Sequence, residues 1–144
     1  GEDEAQDEII ADVMDAMTLG NVDFTLFYRH LTKHYEGGSD EPILELFDDQ
    51  NMGQELLRHW RDRVDADKAD KAERLIVMKK NNPIFIPRNH RVAEAISAGE
   101  EGNFKPFHKL VKILSKPFDE QPEYEEYEKA PLPNEVVRET FCGT

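Results

Sequence analysis

Phe24-Thr25-Leu26-Phe27-Tyr28-Arg29-His30-Leu31-Thr32-Lys33-His34-Tyr35 places Phe24, Phe27, Tyr28, Leu31 and Tyr35 at intervals of three and four residues. That spacing winds them onto one face of a helix and leaves the polar residues on the other. Asp23 stands where a carboxylate caps the first turn, and Gly37-Gly38 ends the run. Read outward, the same period recurs. Ile9, Ile10, Val13, Met14 and Met17 form an acidic amphipathic stretch over 5–17 that Gly20-Asn21 closes. Ser39-Asp40-Glu41-Pro42 reads as a helix start, with proline in the turn where its missing N–H costs nothing, and Ile43, Leu44, Leu46 and Phe47 follow.

Gly53 to Ala66 carries Leu56, Leu57, Trp60 and Val64, and 68–80 carries Ala72, Leu75, Ile76 and Met78. Pro83-Ile84-Phe85-Ile86-Pro87 is pinned by a proline at each end, which favours an extended path. Helices are predicted again from Arg88 to Gly99, with Val92, Ala95 and Ile96 inward, and from Phe104 to Ser115, with Phe107, Leu110, Val111 and Leu114 inward. After Pro117 the periodicity dissolves among Pro122, Pro131, Pro133 and an acid run. The expectation is an all-α fold, a bundle of about six or seven helices with an extended Pro-rich C-terminal tail. The domain division expected is a helical domain over 2–116 and a tail over 117–144. No alternating strand pattern and no internal repeat of solenoid length occurs.

Charge narrows the possible partners. With 18 Lys/Arg against 31 Asp/Glu in 144 residues, the net charge is −13. Phosphate backbones and anionic lipids need cations opposite them, so the balance argues against nucleic acid and membrane surfaces. The basic residues concentrate in the middle: 58–92 holds ten Lys/Arg against five Asp/Glu, whereas 119–128 holds six acids and no base. Solvated helix faces account for this pattern better than a dedicated charged interface. No apolar run reaches the ~20 residues of a membrane span. The acidic N-terminus has no signal-peptide character, and Gly1 reads as a leftover of expression cloning, so native chain is expected upstream.

Catalytic motifs are missing from the sequence. There is no glycine-rich phosphate loop and no nucleophile elbow. His30 and His34 lie four apart on a predicted helix, the spacing of two metal ligands, but without a third ligand nearby they read as surface histidines. Asp65 to Glu73 has the acids of a calcium loop without its glycine, and its alanines and lysines favour helix. Arg88, Asn89, His90 and Arg91 open a helix where an anion would be welcome, though arginines paired with the many carboxylates explain them better. Cys142 is the single cysteine. It is either an inert residue of a frayed end or a thiol that pairs with a cysteine outside this chain or is oxidised.

Three blocks taken together resemble a known family: Asn82-Pro83-Ile84-Phe85-Ile86-Pro87-Arg88-Asn89-His90-Arg91, Pro117-Phe118-Asp119-Glu120-Gln121-Pro122-Glu123-Tyr124 and Phe141-Cys142-Gly143-Thr144. In order and separation they resemble the C-terminal region of the selenoprotein O family, kinase-like protein adenylyltransferases also called YdiU proteins. The resemblance is specific over 74–144, and over 1–66 it extends only to helices of the expected kind. It implies a longer parent that transfers AMP from ATP to Ser, Thr or Tyr hydroxyls of proteins, with ATP and Mg (or Mn) held upstream and no catalytic, cofactor or metal residue in this chain. It further implies an upstream kinase-like domain and protein substrates as partners, and the bacterial cytoplasm as location. Cys142 falls where family members carry selenocysteine or cysteine, proposed to pair with a cysteine near the activation segment. The competing expectation is an acidic helical interaction module without redox role.

Overall fold

The computed structural model describes residue 11 and residues 13–138, and these are helical and irregular, with no strand among them. The chain divides into two compact units, one ending at Asn81 and the other beginning at Asn82.

In the first unit, helical residues 13–19 (α1) are followed by α2 (Phe24–Tyr35), α3 (Glu41–Leu44), α4 (Gln50–Ala66) and α5 (Lys71–Asn81). Asn21 ends α1 in the left-handed conformation at φ 53°, with the Val22 N–H donating back to the Met17 carbonyl at 3.0 Å. Asparagine tolerates that backbone because its short amide hydrogen-bonds locally. The Asp23 carboxylate then accepts from the Leu26 N–H at 3.0 Å and starts α2, as the sequence predicts. At the far end of α2, Gly37 takes φ 117°, which a side chain would resist. α4 begins three residues earlier than its apolar stripe suggests, because Asp49 caps it by accepting from the Asn51 N–H at 2.9 Å.

Met17, Phe27, Ile43 and Leu57 are fully buried in a core completed by Val22, Leu31, Phe47, Leu56 and Met78. Phe27 meets Tyr28 and Phe47 edge to face, with ring centroids 5.2 and 6.2 Å apart, the arrangement aromatic quadrupoles favour. Gly53 lets α4 approach closely: a Cβ there would stand 3.0 Å from both Leu44 and Phe47 side chains. Polar ties fasten the remaining elements. Arg61 reaches both carboxylate oxygens of Asp40, and Arg74 pairs with Asp67 while donating to the Tyr35 hydroxyl at 3.2 Å. Lys79 pairs with Glu36. Of the apolar residues predicted for α5, Met78 is buried whereas Ile76 is 65% exposed.

The second unit is built on the proline-bracketed segment. Residues 83–87 run without helix, as their prolines require, and lead into α6 (Asn89–Glu100) and α7 (Lys105–Leu114). The N–H groups of Ile84 and Phe85 both donate to the Pro117 carbonyl, at 2.8 and 3.1 Å. Ile84 and Phe85 thereby lie against Ile113, with Leu114, Tyr124 and Tyr127 packed around them. The stretch after Pro117 is more ordered than its composition predicts. It forms a 3-10 run over Pro122–Glu128 whose Tyr124 and Tyr127, three apart, fall on one side of a three-residue turn. Gln121 fixes its approach by donating its amide to the carbonyls of Ile113 and Lys116, 3.0 Å each.

α7 departs from its predicted orientation. Leu110 and Ile113 are buried, while Phe107 and Val111, expected inward, are 50% and 52% exposed. The helix is apolar on two faces, and the one that Ile84 and Phe85 cover is centred on Ile113.

Candidate functional site

The residues singled out for chemistry do not converge. Cys142 lies outside the described residues. His34 is engaged within its own turn: Nδ1 is 3.2 Å from the Gly38 carbonyl and 3.3 Å from the Asp40 carboxylate. His30 is half-buried, and burial first, then the nearby Lys33 and Arg29, hold its pKa below the ordinary histidine value. Among the described residues no three His, Cys, Asp or Glu side chains gather where a metal ion would sit. Asp65 to Glu73 comprises the end of α4, an irregular stretch over 67–70 and the start of α5. Asp67 accepts from the Ala69 N–H at 2.9 Å, and Asp70 accepts from the Glu73 N–H at 3.2 Å and caps α5.

The cluster at the start of α6 is chiefly architectural. Arg91 lays its guanidinium 4.5 Å from the centre of the Tyr127 ring, bonds Glu94 at 3.1 Å and donates to the Glu126 carbonyl at 3.3 Å. It thus clamps the 3-10 run onto α6, the structural role expected of these arginines. Arg88 and His90 are 7% and 9% exposed beside a shallow cavity of about 320 Å³ bordered by Ile86, Pro131 and Val136. Burial, aided by Arg91 and Arg88 and opposed by Glu135 and Glu94, lowers the His90 pKa below the ordinary histidine value.

An apolar groove lies between α6 and α7. Val92 and Ile96 from α6 face Phe104, Phe107, Val111 and Leu114 across a groove of about 560 Å³. Glu100 is its one charged lining residue. Phe104 is 56% exposed, so three large side chains of this groove stand about half in water. The sequence identifies nearly all of these residues as apolar, but as core. Periodicity tells which side chains share a face and is silent on what covers it.

The arrangement can bind apolar surface. No protein-family model matches the chain. Curated relatives do. A protein nucleotidyltransferase YdiU of Maridesulfovibrio salexigens is 43% identical over 143 residues, 99% of this chain and 29% of that protein. The protein of that name from Rhodopseudomonas palustris strain BisB5 is 42% identical over 144 residues, again 99% of this chain and 29% of the relative. The one from Bradyrhizobium sp. strain BTAi1 is 41% identical over 133 residues, 92% and 27%. The chain therefore spans less than a third of the length of the relatives it matches, in keeping with the C-terminal region that its three sequence blocks resemble. Over essentially its whole length, this chain is a homologue of one segment of the YdiU protein nucleotidyltransferases.

Proposed function

We propose that the chain is the non-catalytic C-terminal helical region of a protein adenylyltransferase, which buttresses a kinase-like lobe and carries a redox-active thiol at Cys142. The observation that carries this reading is the match along 99% of the chain to relatives named protein nucleotidyltransferases. In the parent reaction a Ser, Thr or Tyr hydroxyl oxygen bonds the α-phosphorus of ATP and releases its proton, the bond from that phosphorus to the bridging oxygen of the β-phosphate breaks, and pyrophosphate leaves. The divalent metal of that reaction does not fit the described residues, which gather no ligand set, so no step through it is assigned to them.

The work of this segment is mechanical: a closed helical unit and a clamped helical hairpin that hold their shape while the lobe acts. Cys142 would pair with a cysteine elsewhere in the longer polypeptide, the two thiols giving up two protons and two electrons to an oxidant of the peroxide class. The bacterial cytoplasm suits a reversible pair of this kind. Among the described residues, no helix is long and apolar enough to cross a membrane.

Calorimetric titration of the 144-residue chain with Mg-ATP tests the assignment. No heat of binding is expected, and micromolar affinity would overturn the non-catalytic reading. For the thiol, Cys142→Ser in the full-length enzyme is expected to leave AMP transfer intact and to abolish its response to oxidation. Equal activity of oxidised and reduced wild type would remove the redox role.

A further inference from the structure

We infer that the groove between α6 and α7 seats an amphipathic helix from the nucleotidyltransferase portion of the same polypeptide. This deepens the functional reading above and rests on it. The two helices form a hairpin joined by the short turn 101–104, and such a pair leaves a furrow into which the ridge of a third helix fits. Its walls, Val92 and Ile96 on one side and Phe104, Phe107 and Val111 on the other, belong to elements already fixed by the buried Ala95, Leu110 and Ile113. The groove is therefore preformed. Contiguous apolar surface of this kind marks a place of contact on a soluble protein.

Three observations select the occupant. The proline-bracketed segment is spent inside its own unit, with Ile84 and Phe85 7% and 2% exposed, so the α6–α7 groove is an apolar face that this unit still has to offer. Most of each relative's length lies beyond the matched segment, which spans 29% of the Maridesulfovibrio protein, so abundant chain exists in the same molecule to fill it. A second copy is disfavoured by charge, since each brings a net −13 to the encounter. With Glu100 as the one charged lining group, the occupying helix presents an apolar stripe at three- and four-residue spacing and a Lys or Arg opposite that carboxylate.

Hydroxyl-radical footprinting of the full-length enzyme and of the 144-residue chain, read at Phe104 and Phe107, tests this directly. Both rings are expected to oxidise at least about fivefold more slowly in the full-length enzyme, as buried side chains do. Val111→Asp in the full-length enzyme is expected to restore their oxidation. Rings equally reactive in both proteins would overturn the proposal. So would protection in the 144-residue chain that grows with its concentration, which would make the occupant a second copy. AMP transfer measured on the same samples separates the two readings. Transfer with unprotected rings sinks the groove alone, whereas protected rings without transfer sink the catalytic assignment and leave the groove standing.

Discussion

The unit ending at Asn81 and the unit beginning at Asn82 are both helical, yet they solve the problem of apolar surface differently. The first gathers nine buried side chains from Met17 to Met78 into one cluster, with Trp60, Tyr28 and Leu44 among those packed around it. In the second, the buried cluster is Ile84, Phe85 and Ile113, braced by two tyrosines and a cation stacked on one of them. Its other apolar face, along α7, stays in water. Burial is the chief source of folding free energy, roughly 25 cal/mol per Å² of apolar surface. A unit that leaves half of several large side chains exposed forgoes much of it. The first unit also leaves Leu19, Ile76 and Val77 more than half exposed, so what separates the two is the size of the buried cluster and the grouping of the exposed side chains along one groove in the second.

One substitution made in each unit strains this contrast most. Phe27→Ala and Phe85→Ala each empty a core site that is 1% and 2% exposed, at a cost of about 3–5 kcal/mol. The first unit is expected to survive with a lowered denaturation midpoint, followed by the fluorescence of Trp60, the single tryptophan. The second is expected to lose cooperative unfolding altogether, seen as collapse of the α6 and α7 amide dispersion in NMR spectra. Survival of the second unit would show that its small core suffices.

A finer probe is Gly53→Ala. Alanine is the better helix former by about 1 kcal/mol, but its Cβ would press on Leu44 and Phe47 at 3.0 Å. Overpacking of this kind costs about 1–3 kcal/mol, so a net loss of roughly 1 kcal/mol is expected in urea titration of the Trp60 signal. A gain would mean that the first core is looser than its contacts indicate.

Each unit carries one histidine whose pKa is lowered, which allows a matched pH experiment. Burial is the leading cause at His30 and at His90. In each case the folded pKa lies below the unfolded value of about 6.5, so the unfolded chain takes up the proton first. Stability is therefore full above about pH 6.5 and declines as pH falls through that value toward the folded one. His30→Gln should flatten the decline in the first unit only, and His90→Gln in the second only. A decline just below about pH 6.5 that neither variant changes would overturn this assignment, because Asp67, whose pKa is lowered first by the Ala69 N–H and then by Arg74, loses its contribution only below its ordinary 3.8. The smallest effect is expected at Val111→Ser, which faces water and should alter the stability of this chain by less than about 0.5 kcal/mol.

Much of this architecture was legible in the residues. The face of α2 at Phe27, Tyr28, Leu31 and Tyr35, the Asp23 cap, the break at Gly37 and the extended 83–87 segment follow from local rules, and the structure shows each, whereas Phe24, expected on that face, is 39% exposed. Three features escaped. α4 starts at its cap Asp49 rather than at its apolar stripe, since polar first turns carry no hydrophobic period. The 3-10 run hides because Tyr124 and Tyr127 repeat every three residues amid acids, and only their packing on Ile84 and Phe85 gives that spacing a purpose. The spacing of α7 predicts one inward face, whereas Ile113 and Leu110 are buried and Phe107 and Val111 are about half exposed. Which face of a doubly apolar helix its own unit covers depends on tertiary contacts with Pro117 and the tyrosines, and these are beyond local pattern. The groove residues were thus visible in the sequence, but the groove was not.

Residue-resolved hydrogen exchange on the 144-residue chain tests the asymmetry most directly. If the first unit is self-sufficient and the second awaits a covering element, the slowest amides of α2 and α4 should exchange at least about 100-fold more slowly than those of α6 and α7. Equal protection in the two units, or greater protection in α6 and α7, would contradict the account.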